Sequence, residues 1–571
     1  MKLKKTIILI LLFLMAACSD ERAPESEVTT EATRPHFNVL IENGMVYDGQ
    51  GDEPYRADVA ILGDRIAAIG TDLGTADVFI DASGQAVAPG FINMLSWATE
   101  SLLLDGRSLS DATQGVTLEV MGEGWSMGPL NESMKVDMKE QQIDLKFDVE
   151  WTTLGEYLQY LEDKGISTNV ASFVGATTVR IHELGYENQV PNEEQLENMK
   201  NLVRQAMEEG AMGVGSSLIY APAFFASTEE LVALNQVAAE YGGRYISHIR
   251  NEGNQLNEAV NELITIAREA GIGAEIYHLK AAGEENWGKL QEVFDQVEAA
   301  RAEGLDITAD IYTYIAGATG LYAAMPLWVQ EGGHDAWVER LQDPDVRARL
   351  EVEMSTPSDE WDNLYLAAGG AENIILIGFK STELKPLTGK TLAEVAEMRG
   401  TSPEITMMDL VVEDDSRVSA AYFLMDEANI RRKIEKPWVA FGSDEESKPI
   451  EGVFLKSNSH PRAFGTFARL LGKYVRDEQV ITLPEAIRRL TSFPAENLKL
   501  EDRGTLAAGK YADVVVFDPA LIQDHATFAE PHQFATGVET VLVNGVPVIL
   551  NGEHTGATPG RFVKGPGWTG D

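Results

Sequence analysis

Eight short apolar strands recur between Ala86 and Ser443, and helical stretches with a 3.6-residue apolar period separate most of them. The strands are read at Ala86–Leu95, Gly115–Gly122, Thr168–Gly175, Met212–Leu218, Arg244–Ile249, Ala274–Leu279, Leu305–Ile311 and Trp438–Ser443. Alternating strands and helices make a parallel sheet, and eight repeats are the count of a (β/α)8 TIM-like barrel. A doubly wound sheet is the alternative, but no glycine-rich phosphate loop follows the first strand. A mixed stretch at about 330–430 reads as an insertion before the last strand, within a barrel expected over 89–499.

Both ends carry a different pattern. Short alternating runs at 38–70 and again at 513–517, 538–543 and 546–550, with an Asn544-Gly545 turn, read as antiparallel strands. They are expected to share one small β domain, from 37–88 and 500–571. Ahead of it, Lys2, Lys4 and Lys5 precede the apolar run Ile7–Ala17. That run is too short to span a bilayer, which takes about 20 residues. Met15-Ala16-Ala17-Cys18 resembles a bacterial lipobox, which makes 1–17 a lipoprotein signal peptide, Cys18 the lipidation site and 18–36 a flexible tether. Ser19 fits sorting to the outer membrane, facing the periplasm; the alternative is an ordinary cleaved signal. Acids outnumber bases 90 to 46, a formal charge of −44, which repels nucleic acid. One cysteine excludes a disulfide framework and a cysteine-rich metal site.

One strand–helix–strand unit carries the chemistry. Arg244–His248 ends in histidine, a helix with the apolar stripe Leu256, Ala259, Val260, Leu263, Ile264 and Ala267 follows, and Ala274–His278 ends in histidine again. Consecutive parallel strands are usually neighbours, so His248 and His278 meet at the C-terminal mouth as a pair of ligands for a divalent metal. The last strand delivers Asp444 to that mouth, where a carboxylate can carry a proton; as plain structure it caps the next helix. The second strand delivers Glu123 between Gly122 and Gly124, a third ligand or else a loop acid in an acidic protein. The histidines at 36, 182, 334, 525, 532 and 554 stand in loop-like or terminal contexts and are expected to be solvated.

Ordered motifs extend from about residue 38 to 550: Pro89-Gly90-Phe91-Ile92, Gly213–Tyr220 with Pro222, Tyr245–Gly253, His278–Gly283, Asp310–Tyr314, Gly442-Ser443-Asp444, His460–Phe467 and Arg503–Asp513. On these the chain resembles the N-acyl-D-amino-acid deacylase (D-aminoacylase) branch of the amidohydrolase superfamily. The resemblance implies a barrel with a β-sandwich built from both termini and metal-dependent hydrolysis of an N-acyl-D-amino acid. It also exposes departures. The family's first strand ends in His-x-His, where this chain reads Asn93-Met94-Leu95-Ser96-Trp97, and its cysteine ligand is replaced in Gly122-Glu123-Gly124. A further family histidine is missing near Gly175-Ala176. Glu123, His248 and His278 remain, with Asp444 opposite, a set similar to mononuclear N-acetylglucosamine-6-phosphate deacetylases. One Zn²⁺ per chain is expected, with Fe²⁺ or Mn²⁺ the alternatives.

In that reading Asp444 takes the proton of the attacking water and gives it to the leaving amine. The substrate carboxylate needs a cation or donor, and Lys280, Tyr312 and Arg462 are the candidates, with Tyr220, Phe224 and Phe225 as candidates for an acyl pocket. Lys280, two residues after His278, is expected on the same side of its strand. Alternatives are hydrolysis of a cyclic amide or D-configured dipeptide, and a binding lipoprotein whose metal site has decayed.

Overall fold

The structure is a computed structural model that describes residues 35–570. The expected signal peptide, Cys18 and most of the tether lie outside the described residues. Val39, Ile41, Val59 and Ile61 from one end and Val514, Val516 and Leu542 from the other share a buried cluster. Strands of both ends join one nine-stranded hydrogen-bonded sheet. Ala86–Pro89 is the link: it runs parallel to Met45–Val46 and antiparallel to Val514–Phe517. The C-terminal hairpin turns at Asn544 (φ 48°) and Gly545 (φ 80°). Two left-handed residues in succession are what a tight turn between twisted strands requires.

Eight parallel strand positions form the barrel: Phe91–Asn93, Val116–Met121, Asn169–Ser172 continued by Val174–Gly175, Gly213–Ser217, Arg244–His248, Gly273–Ile276, Ile307–Ile311 and Val439–Phe441. Closure comes from Met94 N–H donating to Phe441 O (3.2 Å) and Asp444 N–H to Leu95 O (2.8 Å). The single strand expected at Ala86–Leu95 is therefore two, divided at Gly90. A Cβ at Gly90 would sit 2.2 Å from the Thr117 hydroxyl oxygen, so only glycine lets the chain pass from the terminal sheet into the barrel there.

Ile92, Leu95, Leu118, Val120, Ile246 and Tyr277 fill the barrel interior. The helices cover its outside; Leu256–Ala270 buries the apolar stripe read from sequence and stops at Gly271 (φ 67°). The excursion before the last strand starts earlier than residue 330. Its sheet pairs Ala316–Gly320 and Ile374–Gly378 with Ser419–Phe423. Its core includes Tyr312 and Tyr314, just past the seventh strand, which roots it at the barrel mouth. Among the described residues no helix is long and apolar enough to cross a membrane.

Candidate metal centre

Glu123 follows the second strand in a loop that only glycines can thread. Gly122 has φ 104° and a Cβ there would lie 2.3 Å from Phe173 O; at Gly124 (φ 72°) it would lie 2.4 Å from Ser217 Oγ. The loop thereby presses against the third and fourth strands and turns the carboxylate inward, 5% exposed. His248 closes the fifth strand as expected. His278 does not close the sixth, which ends at Ile276. The Asp310 carboxylate takes the His278 N–H at 2.9 Å, and the residue adopts φ 36°, breaking the strand alternation. The side chain still enters the mouth. Asp444 likewise sits in the left-handed region (φ 52°) just beyond the eighth strand.

These elements bring the sequence-derived residues together. Glu123 Oε1 lies 3.1 Å from His248 Nδ1 and 3.0 Å from His278 Nε2, and the two imidazoles stand 4.4 Å apart, nearly perpendicular. All three donor atoms fall within 4.8 Å of one another and are buried. The contacts to Glu123 are close to the about 3.3 Å separating two donors on one tetrahedral zinc ion. One hard carboxylate and two imidazoles therefore fit a divalent cation.

Two contributors escaped the sequence reading. Glu252, four residues after His248 and 3% exposed, places one oxygen on each imidazole: Oε1 3.1 Å from His278 Nδ1, Oε2 3.4 Å from His248 Nε2. Its negative charge therefore stands behind both imidazoles, on the side away from Glu123. The i,i+4 spacing from His248 was the available signal. The other is Trp97. Its indole N–H donates to Glu123 Oε2 (2.9 Å) and to Asp444 Oδ1 (3.2 Å). Leu95, at a family ligand position, is instead buried in the barrel core, and Asn93 donates to Asp111 and Ser443.

The electrostatics follow from this packing. Burial lifts Glu123 and Glu252, but the two imidazoles, joined by Lys280 at Glu252, outweigh it and hold both carboxyls well below the usual range. Burial and Lys280 push His278 down, yet Glu123, Glu252 and Asp444 win and raise it to about 10. Burial raises Asp444, with Arg462 opposing.

The three candidates for the substrate carboxylate fare differently. Lys280, 4% exposed, is paired with Glu252 at 2.6 Å and touches His278 Nδ1 at 2.7 Å, held there despite the broken alternation. Arg462 pairs with Asp444 at 2.6 Å and lies 4.5 Å above the Tyr312 ring, its own backbone N–H bonded to His460 Nδ1. Tyr312 has a buried hydroxyl with no hydrogen-bond partner among the described residues. Tyr220 stacks edge-on to His248 at 5.3 Å, whereas Phe224 turns toward Arg250, which donates to its carbonyl. Five of the histidines expected to be solvated bond away from this centre, to Asp77 (His36), Glu183 (His182), Asp415 (His334), Thr536 (His525) and Ser167 (His554).

Residues 78–549 match the profile described as amidohydrolase family. A D-aminoacylase of Alcaligenes xylosoxydans xylosoxydans is 33% identical over 92% of this chain and 97% of its own length. An N-acyl-D-glutamate deacylase of the same organism is 32% identical over 92% and 96%. Among solved structures, an N-acyl-D-glutamate deacylase from Bordetella bronchiseptica, complexed with zinc and a phosphonate mimic of the tetrahedral intermediate, superposes with a TM-score of 0.76, covering 93% of this chain and 100% of that one at 28% identity. A D-aminoacylase crystal structure gives 0.76 at 30% identity, covering 92% and 100%. Another D-aminoacylase structure is described by its binuclear centre, with one-metal activation and second-metal attenuation.

Proposed function

Because the chain belongs to the amidohydrolase family and is a metal-dependent, N-acyl-D-amino-acid deacylase-like enzyme, we propose that Glu123, His248 and His278 hold a single zinc ion and that Asp444 carries the proton of the hydrolysis. The observation that supports this is the convergence of three donors on one point with a carboxylate facing it through Trp97. When bound, a divalent ion there supplies Lewis acidity toward water and the amide carbonyl.

The chain's own residues do the rest. Asp444, lifted by burial and aimed by Arg462 and Trp97, accepts the proton of the attacking water. Oxygen adds to the carbonyl carbon, and as the C–N bond breaks Asp444 returns that proton to the departing nitrogen. The products are a carboxylate and an amine, the latter a D-amino acid. Tyr312 offers its unpartnered hydroxyl to the substrate carboxylate. Lys280 and Arg462 act there through the potential they add, since each already holds a protein carboxylate.

Purified protein is expected to contain close to one zinc per chain. Asp444→Asn keeps that metal and loses turnover by about 10²–10⁴-fold, the usual worth of a positioned general base. Full activity in the variant would remove Asp444 from the mechanism. A panel of N-acetyl-D- and N-acetyl-L-amino acids with D-dipeptides then fixes the side chain and linkage accepted.

A further inference from the structure

Glu123 and Asp444 are two carboxylates facing one mouth from the second and eighth strands, which flank the first, and something positive must stand between them. Their four oxygens are all engaged. Glu123 Oε1 faces both imidazoles, and its Oε2 takes the Trp97 N–H at 2.9 Å. Asp444 Oδ2 pairs with Arg462 at 2.6 Å, and its Oδ1 takes the same Trp97 N–H at 3.2 Å. The donor between the two carboxylates is thus an indole hydrogen. Neighbouring positions of the first strand supply no imidazole, since Leu95 packs in the barrel core and Asn93 is tied to Asp111 and Ser443.

We propose that Trp97 is a positioning residue that occupies the place of a second metal ion, bridging the ligand Glu123 to the proton carrier Asp444 and limiting the centre to one metal. This rests on the reading of Glu123, His248 and His278 as metal ligands. A second cation would have to displace the indole from both carboxylates and would find no imidazole on the first strand. The N–H also does what a bridging cation would do for geometry: it fixes one oxygen of Asp444 and leaves Glu123 one oxygen for the imidazole side. Unlike a divalent ion, it adds only a partial charge, so Asp444 keeps more of its affinity for a proton.

Two variants and one control measurement test this. Trp97→Phe keeps a ring and deletes the N–H. It is expected to retain one zinc per chain while kcat falls at least about tenfold, the worth of one hydrogen bond to a charged acceptor, with KM changed far less. Leu95→His/Trp97→His restores a pair of imidazoles and is expected to take up a second zinc ion on titration. Wild-type protein titrated with zinc and freed of excess should stop at one ion. A wild type that holds two ions, or a Trp97→Phe enzyme with unaltered kcat, overturns the proposal. A wild type that binds no zinc instead sinks the metal-site reading on which it rests. The wild-type stoichiometry decides the matter even if a variant fails to fold.

Discussion

Replacing Glu252 by glutamine probes how the centre is held. The carboxylate lies 3.1 Å from His278 Nδ1 and 3.4 Å from His248 Nε2 and is paired with Lys280 at 2.6 Å. Glutamine keeps the shape but offers one acceptor and one donor. Its amide carries no charge, so both imidazoles lose the carboxylate that stands behind them. Loss of a partner behind a ligand costs about 10–100-fold in metal affinity, and two ligands share this one, so about 100-fold, or about 2.7 kcal/mol, is expected. A second effect falls on the fold. Lys280, 4% exposed, loses its counter-charge, and an uncompensated buried charge costs about 3–5 kcal/mol. The two effects separate in Glu252→Gln/Lys280→Met, which should recover thermal stability without recovering zinc affinity. Competition against a chromophoric chelator reads the affinity and metal-free thermal melts read the stability. If Glu252→Gln binds zinc within about threefold of wild type, Glu252 does not orient the imidazoles.

Lys433, buried and bonded to Leu279 O at 2.7 Å, is driven down to about 7 by burial and the nearby Lys280. The folded state then binds fewer protons than the unfolded chain from about pH 7 to 10, so this group's cost is full below that window and fades as pH rises. Lys433→Met should therefore stabilise by a few kcal/mol near pH 6, after about 1 kcal/mol is lost with the hydrogen bond, and by much less near pH 10; a gap that does not shrink refutes the assignment. Tyr312→Phe removes the unpartnered hydroxyl and should raise KM about tenfold with metal content unchanged, the worth of one hydrogen bond to a charged group; an unaltered KM removes Tyr312 from substrate binding. Cys18→Ser in cells should shift the protein from the membrane fraction to the soluble periplasmic fraction, and an unchanged distribution would argue against lipidation at Cys18.

What could be read from sequence was local. The apolar stripe of Leu256–Ala270 and the two flanking histidines lie within one unit, so periodicity and strand ends were enough to pair His248 with His278. What could not be read depended on partners distant in the chain. The sixth strand stops short of His278 because Asp310, 32 residues on, captures its N–H. Gly90 divides an apolar run only because Thr117 crosses beside it. The insertion's first strand, Ala316–Gly320, exists only through pairing with Ser419–Phe423. Trp97 is not legible from ligand type, for a chemical reason. A search by ligand type registers a missing histidine, whereas an indole N–H answers the same electrostatic demand without being a ligand.

Charge balance fits the proposal of a single metal. Glu123, Glu252 and Asp444 face two fixed cations, Lys280 and Arg462. Asp310, beside His278, is pushed well above its ordinary value by burial and Glu275. These fixed groups therefore leave one negative charge unbalanced. A divalent ion held by Glu123, His248 and His278 would turn that deficit into a single positive charge, which the one carboxylate of an N-acyl amino acid would neutralise. A second divalent ion would leave a large positive excess, drawing the carboxylate of Asp444 toward metal and away from the proton it must carry. The indole N–H of Trp97 reaches both carboxylates at no cost in net charge, which fits a first strand without histidines and the proposed role of Asp444 as proton carrier.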